Sequence, residues 1–158
     1  MKFSSVHFIG IGGAGMAPLA AILLERGVAV SGSDRELNAK TARLATAGAK
    51  IFAGHDATHL PDSAELVVYS SAVPPENPER RRAVERGIPQ LRRGELLAEL
   101  AGEYRRVVAI SGSHGKTSIT AMLVHALRGC GFTPGFLIGA ALRNGPSASA
   151  GRGGDLFI

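Results

Sequence analysis

Short apolar runs alternate with amphipathic stretches along most of the chain, and a glycine closes many of the latter. Val6 to Ile9 predicts a strand. Gly13 to Arg26 predicts a helix, with Pro18 in its first turn and Gly27 where a C-cap glycine belongs. Val28 to Ser31 predicts a second strand, Asn38 to Ala47 a helix ended by Gly48, and Lys50 to Phe52 a short strand. Leu66 to Tyr69 is apolar throughout, as a strand covered on both faces requires. Pro78 to Arg86 predicts a helix ended by Gly87. Ile88 to Leu91 predicts an edge strand, because Pro89 cannot donate to a ladder. Gly94 to Leu100 predicts a further helix.

A second unit is expected to begin near residues 102–105, dividing the chain into 1–103 and 104–158. Its pattern predicts strands at Arg106 to Ile110, Phe136 to Ile138 and Asp155 to Ile158, and a helix at Lys116 to Arg128. Asn144 to Gly154 is rich in Gly, Ser and Ala and reads as a loop. Strands alternating with helices in this order imply an α/β fold built on a doubly wound parallel sheet. Apolar strands with only one clear helix to cover them would leave the second unit open to self-association.

Composition narrows this picture little. Aromatic residues make up 5% of the chain and Trp is absent, so the core must be aliphatic. Eighteen Lys and Arg against 13 Asp and Glu give a net charge of +5. That excess suits anionic ligands, but no basic and aromatic residues interleave as a single-stranded nucleic-acid site needs. The single Cys130 excludes an internal disulfide and a multi-cysteine zinc site, and reads as a small buried residue. Met1 to Ser5 does not resemble a signal peptide, and the apolar run Met16 to Leu24, interrupted by Pro18, is too short to span a bilayer. The expected protein is soluble and cytoplasmic, with no membrane or nucleic-acid partner.

Two glycine loops carry the chemistry. Gly10-Ile11-Gly12-Gly13-Ala14-Gly15 matches G-x-G-x-x-G between a strand and a helix, the context a Rossmann-like diphosphate site needs. Gly10 permits the tight turn, Gly12 lets backbone approach a pyrophosphate, and Gly15 packs helix against strand. Asp34 ends the second strand 19 residues after Gly15, about where a carboxylate meets a ribose hydroxyl. The loop alone does not distinguish NAD from a UDP-sugar.

Gly112-Ser113-His114-Gly115-Lys116-Thr117 likewise follows a strand and opens a helix. The longer P-loop pattern requires Gly at position 110, where this chain has Ile, so the loop is a shortened variant. Backbone amides would cradle the phosphates of ATP, Lys116 would reach the β- and γ-phosphates, and the Thr117 hydroxyl would bind Mg²⁺. Of the remaining histidines, His7, His59 and His125 read as structural. His55, in Gly54-His55-Asp56, lies where a nucleotide could be reached.

Several segments in order resemble the Mur ligases: His7 to Met16, Ser31-Gly32-Ser33-Asp34, Ser70-Ser71-Ala72-Val73, Glu76-Asn77-Pro78-Glu79, Ile88-Pro89, Arg93 to Leu100 and Gly112 to Thr117. The resemblance implies a first domain that holds the UDP part of UDP-N-acetylmuramate, then the start of a P-loop domain that binds ATP and Mg²⁺. It implies a reaction in which the muramoyl carboxylate is phosphorylated and an amine attacks the acyl phosphate. The branch most resembled uses L-alanine. An alternative branch joins a tripeptide to the same nucleotide sugar, and Pro134 to Gly139 is similar to it. From another class, a non-catalytic Rossmann module remains open, although it needs no second phosphate site.

Carried over by position, the resemblance puts Gly10, Gly12, Gly13, Ala14, Gly15, Met16, Asp34, Ser70 and Ser71 at the UDP-sugar. It puts Gly112, Ser113, His114, Gly115, Lys116, Thr117 and Ser118 at ATP, with Lys116 and His114 in catalytic positions. Ser118-Ile119 departs from the family's usual threonines. The family's acidic metal-binding segment follows the strand read at Asp155 to Ile158, so the chain alone is not expected to complete the reaction.

Overall fold

The computed structural model describes residues 3–140 and 145–158; Met1 and Lys2 of the expected start, and Asn144 of the expected loop, lie outside the described residues. Five parallel strands form the main sheet: β1 (Ser5–Ile9), β2 (Ala29–Asp34), β3 (Lys50–Ala53), β4 (Leu66–Tyr69) and β5 (Gln90–Arg92). Their order is β3-β2-β1-β4-β5, so the connections run outward in both directions from β1. As the doubly wound reading expects, helices cover both faces: α1 (Met16–Glu25), α2 (Ala39–Thr46), α3 (Pro78–Glu85) and α4 (Arg93–Gly102). β5 is one of the two edge strands of this sheet, and the Pro89 carbonyl just before it accepts from the Val67 amide at 3.0 Å.

The period-two alternation of β1 sorts its side chains between two cores. Val6 and Phe8 join Val30, Leu66 and Val68 against Leu19, Ile22 and Leu23 of α1 and Leu96 and Leu100 of α4. Ile9 and Val67 face the other way, toward Leu60, Val73 and Ala83. Each fully buried Leu, Ile or Phe contributes about 1.5–3 kcal/mol relative to exposure, so the first core dominates the fold's stability.

The helix ends follow the sequence. Asn38 caps α2 by accepting from the amides of Lys40 (2.9 Å) and Thr41 (3.3 Å), while Thr41 Oγ1 accepts from the Asn38 amide. We expect Asn38→Ala to remove about 1 kcal/mol of stability. A urea unfolding midpoint equal to the parent's would contradict the capping role.

Residues 104–158 depart from the sequence pattern in detail. Their elements are β6 (Arg106–Val107), α5 (Lys116–Gly129), β7 (Phe136–Leu137), β8 (Ala148–Ser149) and β9 (Leu156–Phe157). β9 pairs in parallel with β6, and Gly135 bridges it to the start of β7. Of the strand expected over Arg106 to Ile110, only Arg106 and Val107 form a strand, paired with Leu156 and Phe157. The segment expected to be a loop contains β8, which pairs antiparallel with β7. Ala148 is buried against the first core, and Glu25 at the end of α1 accepts from Ser149 Oγ (3.1 Å) and the Ala150 amide (2.6 Å). Tyr104 links the end of α1 to this segment, accepting from Arg26 at 2.7 Å and donating to the Ala150 carbonyl at 2.5 Å. Cys130 is exposed rather than buried, because it caps the end of α5, where the chain turns out to solvent. Most exposed large apolar side chains, including Val107, Ile119, Met122 and Phe132, also lie in this segment.

Candidate functional site

Parallel strands bring their carboxyl ends to one edge, and the sheet's winding reverses between β1 and β4. Ligands bind α/β sheets in the crevice at such a point. Gly10 to Gly15 leaves β1 there, and a Cβ on Gly10 would lie 3.3 Å from Ser70 Cβ at the end of β4. The structure therefore brings together the first loop and Ser70; Ser71 follows as an exposed turn residue. Gly10 turns at φ +82° and its amide donates to the Ser33 carbonyl at 2.8 Å, as does that of Ile11 at 3.0 Å. Gly13 bonds back to Gly10 at 3.1 Å. Among the described residues, the amides of Ala14 and Gly15 have no protein acceptor, and they open the N-terminus of α1. That end carries partial positive charge, which suits a phosphate. Met16 adds little to this surface: its side chain is buried in the core and its amide donates to Gly13 at 3.0 Å.

The three glycines serve tighter contacts than the sequence pattern implies. A Cβ on Gly12 would stand 2.7 Å from Asn38 Nδ2 and 2.9 Å from Thr41 Cγ2, so this glycine admits the start of α2. A Cβ on Gly15 would meet the Arg93 side chain, at 2.7 Å from Cδ and 3.2 Å from Nε and Nη1, and not a strand. Asp34 is turned onto the loop itself, accepting from the Gly12 amide at 2.7 Å and the Glu36 amide at 3.2 Å. Both oxygens keep a lone pair for a further donor.

Sequence reasoning did not single out Arg93 or Glu79. Arg93 opens α4 and lies over Gly15, with no salt bridge or hydrogen bond to another described residue. A cation facing the N-termini of two helices is unfavourable unless an anion sits between them. Its signal in the sequence was the arginine immediately before Gly94-Glu95. Glu79 is fully buried in the first turn of α3 and accepts from His7, Ser33 and His55. A glutamate at a helix start ordinarily faces water, so only its partners, distant in sequence, could have marked it.

The second loop opens α5. Gly112 and Gly115 take φ +149° and +77°, turning the backbone sharply before the helix. Lys116 folds back so that its ammonium donates to the carbonyls of Gly112 and, at 3.4 Å, Ser113. His114 Nδ1 and Ser113 Oγ are 3.2 Å apart. Gly112 to Ser118 is exposed, so its polar groups are free to meet a ligand.

A family model described as the Mur ligase family, catalytic domain, matches residues 5–105. Among curated relatives, UDP-N-acetylmuramate--L-alanine ligase of Aquifex aeolicus is 49% identical over 153 residues, or 96% of this chain and 33% of that protein. Among solved structures, UDP-N-acetylmuramate-alanine ligase of Thermotoga maritima superposes with a TM-score of 0.87 at 32% identity, covering 97% of this chain and 36% of the other. The UDP-N-acetylmuramate:L-alanyl-gamma-D-glutamyl-meso-diaminopimelate ligase of Neisseria meningitides gives 0.87 at 30% identity, covering 99% and 52%. The chain spans about a third of the length of the curated relatives it matches. Among the described residues, no helix is long and apolar enough to cross a membrane.

Proposed function

The chain belongs to the Mur ligase family, and from that premise we propose that it supplies the UDP-sugar site and the ATP loop of a cytoplasmic ligase joining L-alanine to UDP-N-acetylmuramate. The observation that carries this reading is the presence of two glycine loops, each opening a helix, on one chain. A redox Rossmann module has use for only the first. Curated relatives at 45% and 49% identity carry the name UDP-N-acetylmuramate--L-alanine ligase, which favours the alanine branch.

At the first loop, the Ala14 and Gly15 amides and Arg93 bind the diphosphate, with Ser70 and Ser71 bordering the crevice and Asp34 positioned for the ribose. At the second, the loop geometry fits a nucleotide triphosphate: the positive-φ glycines turn the backbone, and Lys116 already sits on the loop's carbonyls. Bound ATP supplies the phosphoryl group that activates the muramoyl carboxylate. Lys116 neutralises phosphate charge, His114 takes the second catalytic position, and the Gly112 to Ser118 backbone holds the chain of phosphates. Thr117 is the one side chain assigned to Mg²⁺. Its hydroxyl would bind the ion together with the nucleotide's phosphates.

Titration calorimetry with UDP-N-acetylmuramate, MgATP and NADH tests the reading. Binding of the UDP-sugar without NADH binding is expected. NADH binding with no heat from the UDP-sugar would overturn it. Ligation products of the whole protein with L-alanine or the tripeptide distinguish the two branches. Arg93→Ala should weaken the UDP-sugar by about tenfold, the size of one charge-assisted hydrogen bond, with little change in stability. Undiminished affinity would remove Arg93 from the diphosphate site.

A further inference from the structure

We propose that Glu79 is a positioning residue for nucleotide recognition: it locks His55 with its hydrogen on Nδ1, leaving Nε2 as a fixed acceptor for a ribose hydroxyl or base N–H. The proposal rests on the UDP-sugar reading and adds a recognition device to it.

The sheet register builds this device. His7 of β1 lies directly opposite Ser31 of β2, and Ser33 follows on the same face two residues later. Both serines and His7 are buried on the side of the sheet that meets α3. Asn77 caps α3 and Pro78 opens it, so the helix start is fixed; the Glu79 amide itself donates to Asn77 Oδ1 at 2.9 Å. Glu79 therefore enters the layer rigidly and reaches His7 Nε2 with Oε2 at 2.6 Å. Its Oε1 accepts from Ser33 Oγ at 2.7 Å and lies 2.9 Å from His55 Nδ1. Burying a carboxylate is costly, and Asn77 already serves the helix end, so capping does not account for Glu79's placement.

Counting hydrogens fixes the tautomer. An ionised carboxylate has only acceptors. The single Ser33 hydroxyl hydrogen is given to Glu79, so Ser33 Oγ, 3.0 Å from His55 Nδ1, also faces that nitrogen as an acceptor. Both neighbours thus require a hydrogen on Nδ1. In a neutral ring, Nε2 is then bare, and it has no protein partner among the described residues. The His55 side chain keeps 21% of its surface exposed. Gly54, at φ +74°, donates to the Asp34 carbonyl at 2.8 Å, which holds His55 beside Asp34 at the carboxyl edge of the sheet. A carboxylate and a bare ring nitrogen together make a pair of acceptors suited to the donor groups of a nucleoside.

The test combines nitrogen-15 NMR of the histidine rings, recorded across a pH series, with UDP titrations. In the parent, the neutral His55 ring should show a protonated Nδ1 and a bare Nε2. Glu79→Ala should mix the tautomers and weaken UDP by about tenfold, the worth of one hydrogen bond. Glu79→Gln should bind close to the parent. Its carbonyl still accepts from His55, and its amide group faces His7, which can reverse its own tautomer against Ser31. His55→Ala should bind as weakly as Glu79→Ala, and the double variant no more weakly than His55→Ala. A parent that fails to bind UDP overturns the reading beneath the proposal. A parent that binds UDP with the hydrogen on Nε2 overturns the proposal alone. So does a folded Glu79→Ala with parental affinity, or one whose loss persists undiminished in the His55→Ala background. The tautomer signal needs no substitution, so the test holds even where Glu79→Ala does not fold.

Discussion

Gly12→Val should abolish measurable UDP-sugar binding and destabilise the protein by about 2–4 kcal/mol, the sum of an overpacked contact and a damaged cap. The Cβ alone would stand 2.7 Å from Asn38 Nδ2, 2.9 Å from Thr41 Cγ2 and 3.0 Å from Asp34 Oδ2. Asn38 has little freedom to withdraw, because its side chain holds the amides of Lys40 and Thr41 in the first turn of α2. Asp34 is held in turn by the Gly12 amide and the Glu36 amide. Relief must therefore come from the loop, which would carry the Ala14 and Gly15 amides away from the phosphates. Binding falls because the loop has moved, and stability falls with it because α2 is disturbed. Titration calorimetry and urea unfolding read the two effects separately. Parental UDP-sugar affinity in a variant of parental stability would sink both the loop assignment and its packing account.

Lys116→Ala should weaken ATP by about 10- to 100-fold, as expected when charge-assisted hydrogen bonds to phosphate are lost. Lys116 is exposed, and its bonds are to the carbonyls of Gly112 and Ser113 in its own loop. Those carbonyls are solvated once the ammonium is gone, so the unfolding midpoint should stay within error of the parent's. This separation marks a binding residue, since a structural lysine would move the midpoint instead. In the whole protein the same substitution should depress the proposed ligation by a similar factor. Near-normal ligation would count decisively against the role of Lys116.

The sequence alone determined the features set by local physics. Leu66 to Tyr69 read as a strand with both faces covered, and β4 spans those residues between β1 and β5 in the covered sheet. Gly27, Gly48 and Gly87 marked three helix ends, and all three take positive φ just beyond a helix. The glycine patterns at Gly10 and Gly112 located both strand-to-helix turns, because such turns leave a chemical signature within six residues. Hydrophobic periodicity says which face of an element is apolar, but not what will cover it. Hence β8 was missed: Ala148 and Ser149 carry no strand signal of their own and pair only because β7 and α1 are in reach. The reading of Cys130 as buried failed for the same reason, since its environment depends on what lies beyond the end of α5. The neighbours of Gly12 were likewise set by the approach of α2, and no loop pattern contains that. Most plainly, Glu79 and His7 are 72 residues apart in sequence, yet 2.6 Å apart in the structure. A buried carboxylate is tolerable only with its donors already in place, and it is the winding of the sheet, with α3 laid across it, that puts them there.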